Sequence, residues 1–233
     1  MGISQYIKEI GRGPRGSKPL TREQAADLFG QLLDGNVTDL EIGAFCLAMR
    51  IKGETPEEMC GFLDAAHSRM ALFPASDRPV IVLPSYNGAR KLPVLTPLLA
   101  LLLAREGLPV LLHGMRTEAR RTLASDVLLA LGVPALTAPE KIATGSVAHI
   151  ETGYLHAALA RLLKVREVVG LRNAGHSIVK LMNPCAGPAV VVTSYTHPEY
   201  YDMLQATRRA LHLTALLSRG LEGEAATDPR RTP

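Results

Sequence analysis

The sequence predicts an α/β protein with a small N-terminal helical domain and a larger domain built on a mostly parallel sheet, with helices on both faces. Over the first third of the chain, apolar residues recur every three or four positions between helix-capping signals. From residue 80 onward, short apolar runs alternate with helical stretches. Residues 73–79 contain two prolines and are typical of a linker. We therefore predict domains at residues 1–74 and 75–233.

Three capping signals predict the helices of the first domain. Thr38 and Glu41 form a capping box, in which hydroxyl and carboxylate each bind the other residue's backbone amide. Pro56 favours the start of the third helix, because proline at the first helical position loses no hydrogen bond. The predicted starts are Thr21, Thr38 and Thr55, and the predicted ends lie near Gly35, Gly53 and Met70.

Short apolar runs predict the strands of the second domain. The predicted strands are residues 80–83, 109–112, 190–192 and 213–217, and the predicted helices are residues 95–105, 123–131 and 198–211. Ligands of such sheets bind outside the carboxyl ends of the strands. We therefore expect a functional site among the loops that follow Leu83, Leu112, Val192 and Leu217.

Composition excludes several classes of protein. Hydrophobic residues make up 47% of the 233 residues and charged residues 21%, which is typical of a globular chain. The odd number of cysteines, Cys46, Cys60 and Cys185, contains no CxxC pair and indicates packed, reduced thiols in a cytoplasmic protein. The longest apolar run, residues 92–104, is shorter than the roughly 20 residues that cross a bilayer. We expect no membrane partner.

The net charge of +4 and the pI near 9.1 favour an anionic partner. Nucleic acid, nucleotide and phosphosugar all satisfy this condition. A net charge of this size is also ordinary for a soluble protein, so charge alone does not choose among them.

The loop after the first predicted strand, residues 84–91, carries the residues best suited to binding phosphate. Ser85, Asn87 and Gly88 are followed there by Arg90 and Lys91. Backbone amides beside two cations suit phosphate oxygens. An ordinary turn whose basic residues face solvent would look the same, and the loop alone does not decide between the two.

Two further segments place cations at strand or helix ends. His113 and Arg116 follow the second predicted strand, whereas Arg172 lies in residues 166–176 at helical spacing from Arg166. A solvated helix face is the competing interpretation for the two arginines. The chain contains no Walker lysine loop, GxSxG elbow or HExxH motif, which excludes those reaction classes.

Four segments carry a resemblance to a known family. They are residues 6–13 (YIKEIGRG), 48–54 (AMRIKGE), 84–91 (PSYNGARK) and 194–200 (SYTHPEY). Through them the chain resembles the glycosyl transferase family 3 superfamily of anthranilate phosphoribosyltransferases and pyrimidine nucleoside phosphorylases. It is most similar to the divergent YbiB-type branch, often described as DNA-binding. The resemblance covers nearly the whole chain and implies this fold, shortened at its C-terminus.

The resemblance also implies roles for individual residues. Catalytic members carry a GTGGD loop that approaches pyrophosphate, and SYNG at residues 85–88 replaces its paired glycines by bulkier residues. Thr96 keeps one hydroxyl of a second phosphate motif, and His113 and Arg116 match the family's KHGNR loop. Arg172 corresponds to the arginine that holds the aromatic carboxylate. Glu222 and Glu224 stand near the family's magnesium-binding Asp-Glu pair, without forming an adjacent pair.

Two functional hypotheses remain, and whether the chain is an enzyme stays open. The first is non-specific binding of DNA, or of RNA, in a basic phosphate groove formed by Ser85, Asn87, Gly88, Arg90, Lys91, Thr96, His113 and Arg116. The second is a phosphoribosyltransferase that uses Mg and phosphoribosyl pyrophosphate, with Arg172 orienting an aromatic amine or base. For either, the resemblance implies a homodimer through the N-terminal helices, consistent with the apolar face of residues 40–49.

Overall fold

The N-terminal part of the chain is helical in the computed structural model, which describes residues 2–13 and 15–230. Its helices are α1 (Ser4–Ile10), α2 (Arg22–Leu33), α3 (Asp39–Lys52) and α4 (Pro56–His67). The three predicted starts at Thr21, Thr38 and Thr55 are confirmed, because each forms a complete capping box. The helix α4 ends earlier than predicted, and the chain turns after Ser68 so that Met70 is buried.

These helices pack around an aromatic cluster. The rings of Phe29, Phe45 and Phe62 are fully buried, with centroids 5.1 to 6.3 Å apart. Beside them, the buried carboxylate of Glu58 accepts hydrogen bonds from Lys52 Nζ at 2.6 Å and from the Leu20 amide at 2.9 Å. One charged group therefore joins the start of α4 to the end of α3 and to the segment before α2.

The second part of the chain forms a parallel sheet. Its strands are β1 (Val80–Ser85), β2 (Val110–Gly114), β3 (Ala135–Leu136), β4 (Val147–Glu151), β5 (Ala189–Tyr195) and β6 (Ala215–Arg219). Their order is β3-β4-β2-β1-β5-β6, and every pairing is parallel. Strands β2, β4 and β3 lie on one side of β1, and strands β5 and β6 lie on the other side. Ligands of open parallel sheets bind at such a reversal of strand order, here between β1 and β5.

Helices cover both faces of this sheet, as predicted. They are α5 (Thr96–Arg105), α6 (Ala124–Ala130), α7 (Thr152–Leu155), α8 (Ala157–Val169), α9 (Gly175–Ile178) and α10 (Glu199–Ala210). On one face, α5 and α6 bury Ala100, Ala104 and Leu128 against Leu83 and Leu112 of the sheet. On the other face, the sheet joins the core that holds the aromatic cluster. The α/β fold class is therefore confirmed.

Three helices from the second half of the chain contact the N-terminal helices. Helix α8 packs against α3, whereas α9 and α10 pack against α4. The connections between the helical layer and the sheet layer also bind one another: the Ala71 amide donates to Leu155 O at 2.9 Å, and the Phe73 amide donates to Pro184 O at 2.8 Å. Phe73 is fully buried, so the start of the predicted linker is an ordered crossing.

Several elements were not predicted from the sequence, namely α1, α7, α8, α9, β3 and β4. The strand β4 reads VAHIE, and its alternation of polar and apolar residues is too short to stand out. Its polar member His149 is accommodated because its Nε2 lies 2.9 Å from Val133 O. The three cysteines are buried and free, as expected. Within residues 2–13 and 15–230, no helix is long and apolar enough to span a membrane.

Candidate anion-binding site

The last residue of β1 and the loop that follows it, residues 85–92, direct their hydrogen-bond donors at a carboxylate of the same chain; we call this segment the anion loop. Glu224 Oε1 accepts from the amides of Asn87 at 2.9 Å and Gly88 at 2.7 Å. Glu224 Oε2 accepts from Ser85 Oγ at 2.6 Å and Thr96 Oγ1 at 3.1 Å. The structure thus brings together four residues that the sequence predicted to bind phosphate, around the buried side chain of Glu224.

A second carboxylate binds the far half of the anion loop. Glu222 accepts from the successive amides of Arg90 at 2.7 Å, Lys91 at 3.2 Å and Leu92 at 3.5 Å. Successive amides that converge in this way form a nest for an anion. Asn87 adds a contact, since its Nδ2 donates to Gly223 O at 2.9 Å. The anion loop therefore has two binding positions for negatively charged oxygens.

Residues 220–228, which we call the strap, hold these two carboxylates over the loop. The Leu221 amide donates to Ala226 O, and the Asp228 amide donates to Arg219 O, both at 2.8 Å. Glu222 has a φ of 52°, in the left-handed region that a residue with a Cβ rarely adopts. Such backbone strain persists only where surrounding contacts impose it. The left-handed conformation of Glu222 allows its carboxylate to reach the amides of the anion loop, and these hydrogen bonds are the contacts that hold it.

Glycines allow the anion loop to lie close to its neighbours. Gly88 has a φ of 63°, and a Cβ there would meet Thr122 O at 2.6 Å. Gly114, at the end of β2, leaves no room for a Cβ beside Ser85 O. Backbone approach of this kind requires glycine. The loops after β1 and β2 consequently form one continuous surface.

His113 does not reach this surface. Its side chain is 1% exposed, and its Nδ1 lies 2.8 Å from the hydroxyl of Tyr86, which in turn contacts Thr152 Oγ1 at 2.9 Å. Burial lowers the pKa of His113 to about 3, so the imidazole is neutral at physiological pH. The residue that replaces a family glycine, Tyr86, fills the space beside it. The structure therefore places His113 in the core rather than in a phosphate groove.

Arg116 lies at the edge of the same surface but is already paired. Its Nη2 donates to both carboxylate oxygens of Asp126, at 2.8 and 2.6 Å, and its Nη1 donates to Arg121 O at 2.7 Å. Burial acts to raise the pKa of Asp126, but the hydrogen bond from the Leu123 amide and the ion pair with Arg116 together lower it. Arg116 thus anchors the start of α6, and its charge is largely compensated.

Arg172 lies in a cavity between the helical layer and the carboxyl end of β5, which we call the cationic cleft. The cavity measures about 360 Å³, and Arg172, His176, Lys180 and Ser194 border it. Lys180 Nζ donates to Ser194 O at 3.0 Å. His176 is 7% exposed, and its Nε2 has no hydrogen-bond partner in the described part of the chain.

Arg172 and Lys180 form no ion pair within residues 2–13 and 15–230, although the acidic residues Glu54 and Glu199 also border the cationic cleft. Burial, followed by the positive charge of Arg172, lowers the pKa of Lys180 to about 8, with Glu224 opposing the shift. Burial and the charge of Arg166 also lower the pKa of Arg172. Burial, Arg172 and Arg166 lower the pKa of His176 to about 3. Cations forced together in this way favour an anionic ligand, because a bound anion removes their repulsion.

The side chains of the site do not form a set of ligands that fits magnesium. No group of three or more His, Cys, Asp or Glu side chains that could hold a metal ion occurs in residues 2–13 and 15–230. Glu222 and Glu224, the predicted acidic pair, are instead saturated by amides and hydroxyls. Magnesium requires carboxylate oxygens that are free to bind it.

Arg90 and Lys91 are the exposed cations of the anion loop, which fits both the phosphate-binding and the solvent-facing interpretation of the sequence. Sequence reasoning missed Lys180 and His176, because they lie on and just after the short helix α9 and no motif marks them. It also missed that Glu222 and Glu224 bind the loop. Their spacing on either side of Gly223 was a visible signal, since a glycine between two acids allows a tight turn.

A family model and two relatives of known sequence are similar to this chain. A family model described as the helical bundle domain of a glycosyl transferase family matches residues 4–70. The protein YbiB of Escherichia coli (strain K12), described as uncharacterized, is 38% identical over 240 residues, which cover 100% of this chain and 75% of YbiB. The anthranilate phosphoribosyltransferase of Persephonella marina is 27% identical over 232 residues, covering 95% of this chain and 66% of that enzyme.

Two solved structures share the fold. The anthranilate phosphoribosyltransferase of Thermus thermophilus superimposes with a TM-score of 0.75 at 23% identity, over 96% of this chain and 67% of that one. The Saccharomyces cerevisiae enzyme in complex with PRPP and Mg gives a TM-score of 0.71 at 15% identity, over the same shares of the two chains. The chain thus spans about two thirds of the length of these enzymes.

Proposed function

Since this chain belongs to the glycosyl transferase family 3 superfamily, which includes the anthranilate phosphoribosyltransferases, we propose that it binds the phosphate backbone of DNA at the carboxyl edge of its sheet. In this proposal, the phosphate-binding edge holds a polyanion and does not transfer a phosphoribosyl group. RNA presents the same phosphate groups and is a second ligand of the same chemistry. Contacts of this kind are largely independent of base sequence.

One observation carries the proposal: Glu222 and Glu224 are used as hydrogen-bond acceptors for the anion loop. A phosphoribosyltransferase of this family would need the loop for pyrophosphate and free acidic groups for magnesium. In this chain the amides of the anion loop donate their hydrogen bonds to Glu222 and Glu224, so neither the amides nor the two carboxylates are free. This arrangement supports retention of anion recognition without the metal-dependent step.

The remaining cations are placed to attract a polyanion to this edge. Arg90 and Lys91 are exposed on the anion loop, and Arg50 lies at the border of the cationic cleft with Arg172 and Lys180. Lysine and arginine contacts with phosphate release counterions, so their contribution falls as salt rises. We expect binding that is non-specific, electrostatic and salt-sensitive.

Replacing Arg90 and Lys91 together by alanine is expected to weaken DNA binding by about tenfold and to lower the salt slope by about 1 to 2 units. The two exposed charges are the loop's contribution to phosphate contact. A filter-binding titration with single- and double-stranded DNA at about 50 and 200 mM salt measures both quantities.

The matched control removes two exposed arginines at the opposite edge of the sheet, through Arg105→Ala and Arg209→Ala. These residues lie in the last turns of α5 and α10. The control lowers the net charge equally and should leave most of the affinity. Equal losses in the two double variants, tight binding that ignores salt, or no binding by the unmodified chain would contradict the proposal.

A second candidate is the phosphoribosyltransferase activity itself, favoured by the cationic cleft. A cavity of about 360 Å³ with Arg172 at its border suits a small anionic ring. In this alternative, Arg172 orients an aromatic acceptor and the anion loop holds the pyrophosphate group, which requires Glu222 and Glu224 to give up the amides that they bind. Calorimetry with magnesium and phosphoribosyl pyrophosphate tests it, since the absence of binding heat would argue against this activity.

We also propose that the chain forms a homodimer through its N-terminal helices. Leu40, Leu47 and Ile51 share one face of α3 and are 83%, 43% and 66% exposed. Side chains spaced seven and four residues apart form a continuous apolar stripe on a helix. A second copy of the same stripe would bury it symmetrically.

Replacing Leu47 and Ile51 by glutamate is therefore expected to give a monomer, because four carboxylates would face one another across the interface. Light scattering measures the mass of the particle. Leu129→Glu, at a leucine of α6 that is 64% exposed, is the control and should leave the dimer intact. A monomeric unmodified chain would remove the proposal.

The compartment that we propose is the cytoplasm. Cys46, Cys60 and Cys185 are buried and free, which fits a reducing environment. Thiol titration under native and unfolding conditions tests the state of these cysteines: three thiols should react only after unfolding.

A further inference from the structure

The strap places two carboxylates on the hydrogen-bond donors that the anion loop would offer to an external anion. Glu224 accepts hydrogen bonds from two amides and the Ser85 hydroxyl of the anion loop and from the Thr96 hydroxyl at the start of α5, whereas Glu222 accepts from three successive amides of the loop. A carboxylate and a phosphate both offer anionic oxygens to such donors. The anion loop is therefore a complete anion site in which both positions are filled by the chain itself.

The strap buries few apolar side chains. They are Leu221 and the two small residues Ala225 and Ala226, so its departure from the anion loop would expose little apolar surface. The left-handed backbone of Glu222 would relax once its carboxylate is free. Lys180 stands close enough to Glu224 for the carboxylate to affect its charge, so departure of the strap would also leave one more uncompensated cation.

We propose that the strap is an autoinhibitory segment, whose Glu222 and Glu224 occupy the two phosphate positions of the anion loop until a ligand with linked phosphates displaces them. The inference deepens the proposed function, because it assigns an internal competitor to the same edge. Inorganic pyrophosphate and a nucleic-acid backbone share the required chemistry. Removing the competing charge raises affinity for either ligand, because less of the binding free energy is used to open the site.

The test is calorimetric titration of inorganic pyrophosphate, without and with magnesium, into the full chain and into Glu224→Gln and Glu222→Gln variants. Glutamine keeps the shape of the side chain and one acceptor oxygen, but it removes the charge. Each variant should bind pyrophosphate about tenfold more tightly than the unmodified chain, in the absence of magnesium. Glu106→Gln, an exposed acid at the end of α5, is the control for net charge and should show no change.

Amide hydrogen exchange separates an inhibitory strap from a merely structural one. Pyrophosphate bound to the unmodified chain should speed exchange at the Leu221 and Asp228 amides, which are bonded to Ala226 O and Arg219 O. This measurement keeps the inference testable even if a glutamine variant folds poorly. Unchanged exchange on binding would overturn the inference, as would weaker pyrophosphate binding in the variants with magnesium present, since that result makes the two acids metal ligands.

A parallel DNA titration distinguishes this inference from the proposed function. If the glutamine variants bind pyrophosphate more tightly but no form of the chain binds DNA, the strap is inhibitory and the nucleic-acid proposal fails. If DNA binds and neither variant changes the affinity for pyrophosphate or DNA, the nucleic-acid proposal stands and the inhibitory strap does not.

Discussion

Replacing Glu58 by alanine is expected to lower the free energy of unfolding by about 3–5 kcal/mol. The Glu58 side chain is fully buried, and it accepts from Lys52 Nζ at 2.6 Å and from the amides of Leu20 and Thr55 at 2.9 Å. The change would leave a buried ammonium group without its partner and two amides without an acceptor. Urea unfolding followed by circular dichroism measures the effect.

Glu57→Ala is the matched control, because Glu57 is the exposed neighbour in the same first turn of α4. Its loss removes only a favourable helix-end charge and should cost less than about 1 kcal/mol. The double variant Lys52→Met with Glu58→Leu should recover part of the loss, since it removes the unpaired charge but not the unpaired amides. A loss below about 1 kcal/mol for Glu58→Ala would show that the pair is not what holds these elements together.

Replacing Arg172 and Lys180 together by methionine is expected to weaken binding of an anionic ligand by at least about 100-fold, since each charge-assisted hydrogen bond contributes about 1.5–3 kcal/mol. Methionine preserves much of the side-chain volume, and removing two partly buried cations that repel each other should also raise the stability of the unbound protein. The affinity is measured by titration with DNA, and the stability by urea unfolding. Arg161→Met with Lys164→Met, on the exposed side of α8, is the matched control.

The same cleft gives a pH dependence of binding. Lys180 is charged below a pKa of about 8 and neutral above it. Affinity for an anion should therefore be present at about pH 7 and fall as the pH rises through 8, whereas His176 stays neutral over this range. A bound anion raises the pKa of Lys180, so the fall should shift to higher pH at saturating ligand. The Lys180→Met variant should lose this dependence, and a flat profile in the unmodified chain would contradict it.

The helical layer was largely predictable because its signals are local. Thr21, Thr38 and Thr55 each lie three residues before a side chain that completes the capping box, and that spacing is visible in the sequence. The strand β4 was missed for the opposite reason. Its place in the sheet depends on pairing with β2, more than thirty residues away, and its own pattern is brief.

The residues of the candidate site were predictable from the sequence, but the carboxylate that they bind was not. Ser85, Asn87, Gly88 and Thr96 were identified as binding residues, and they do converge on one anion. That this anion is Glu224 could not be predicted, because the contact spans more than 120 residues and depends on the path of the strap. Lys180 was missed because its importance arises from burial beside Arg172, which only the folded chain shows.

The chain passes between the two layers at three places, and backbone hydrogen bonds tie these crossings together around Phe73. A helical layer joined to the sheet by one flexible linker would be free to rotate about that linker. Here backbone hydrogen bonds join the three crossings, so we expect the helical layer to resist rotation relative to the sheet. Cutting the chain once near Pro74 would therefore not release the helical layer, because α8 and α9 would still hold it to the sheet.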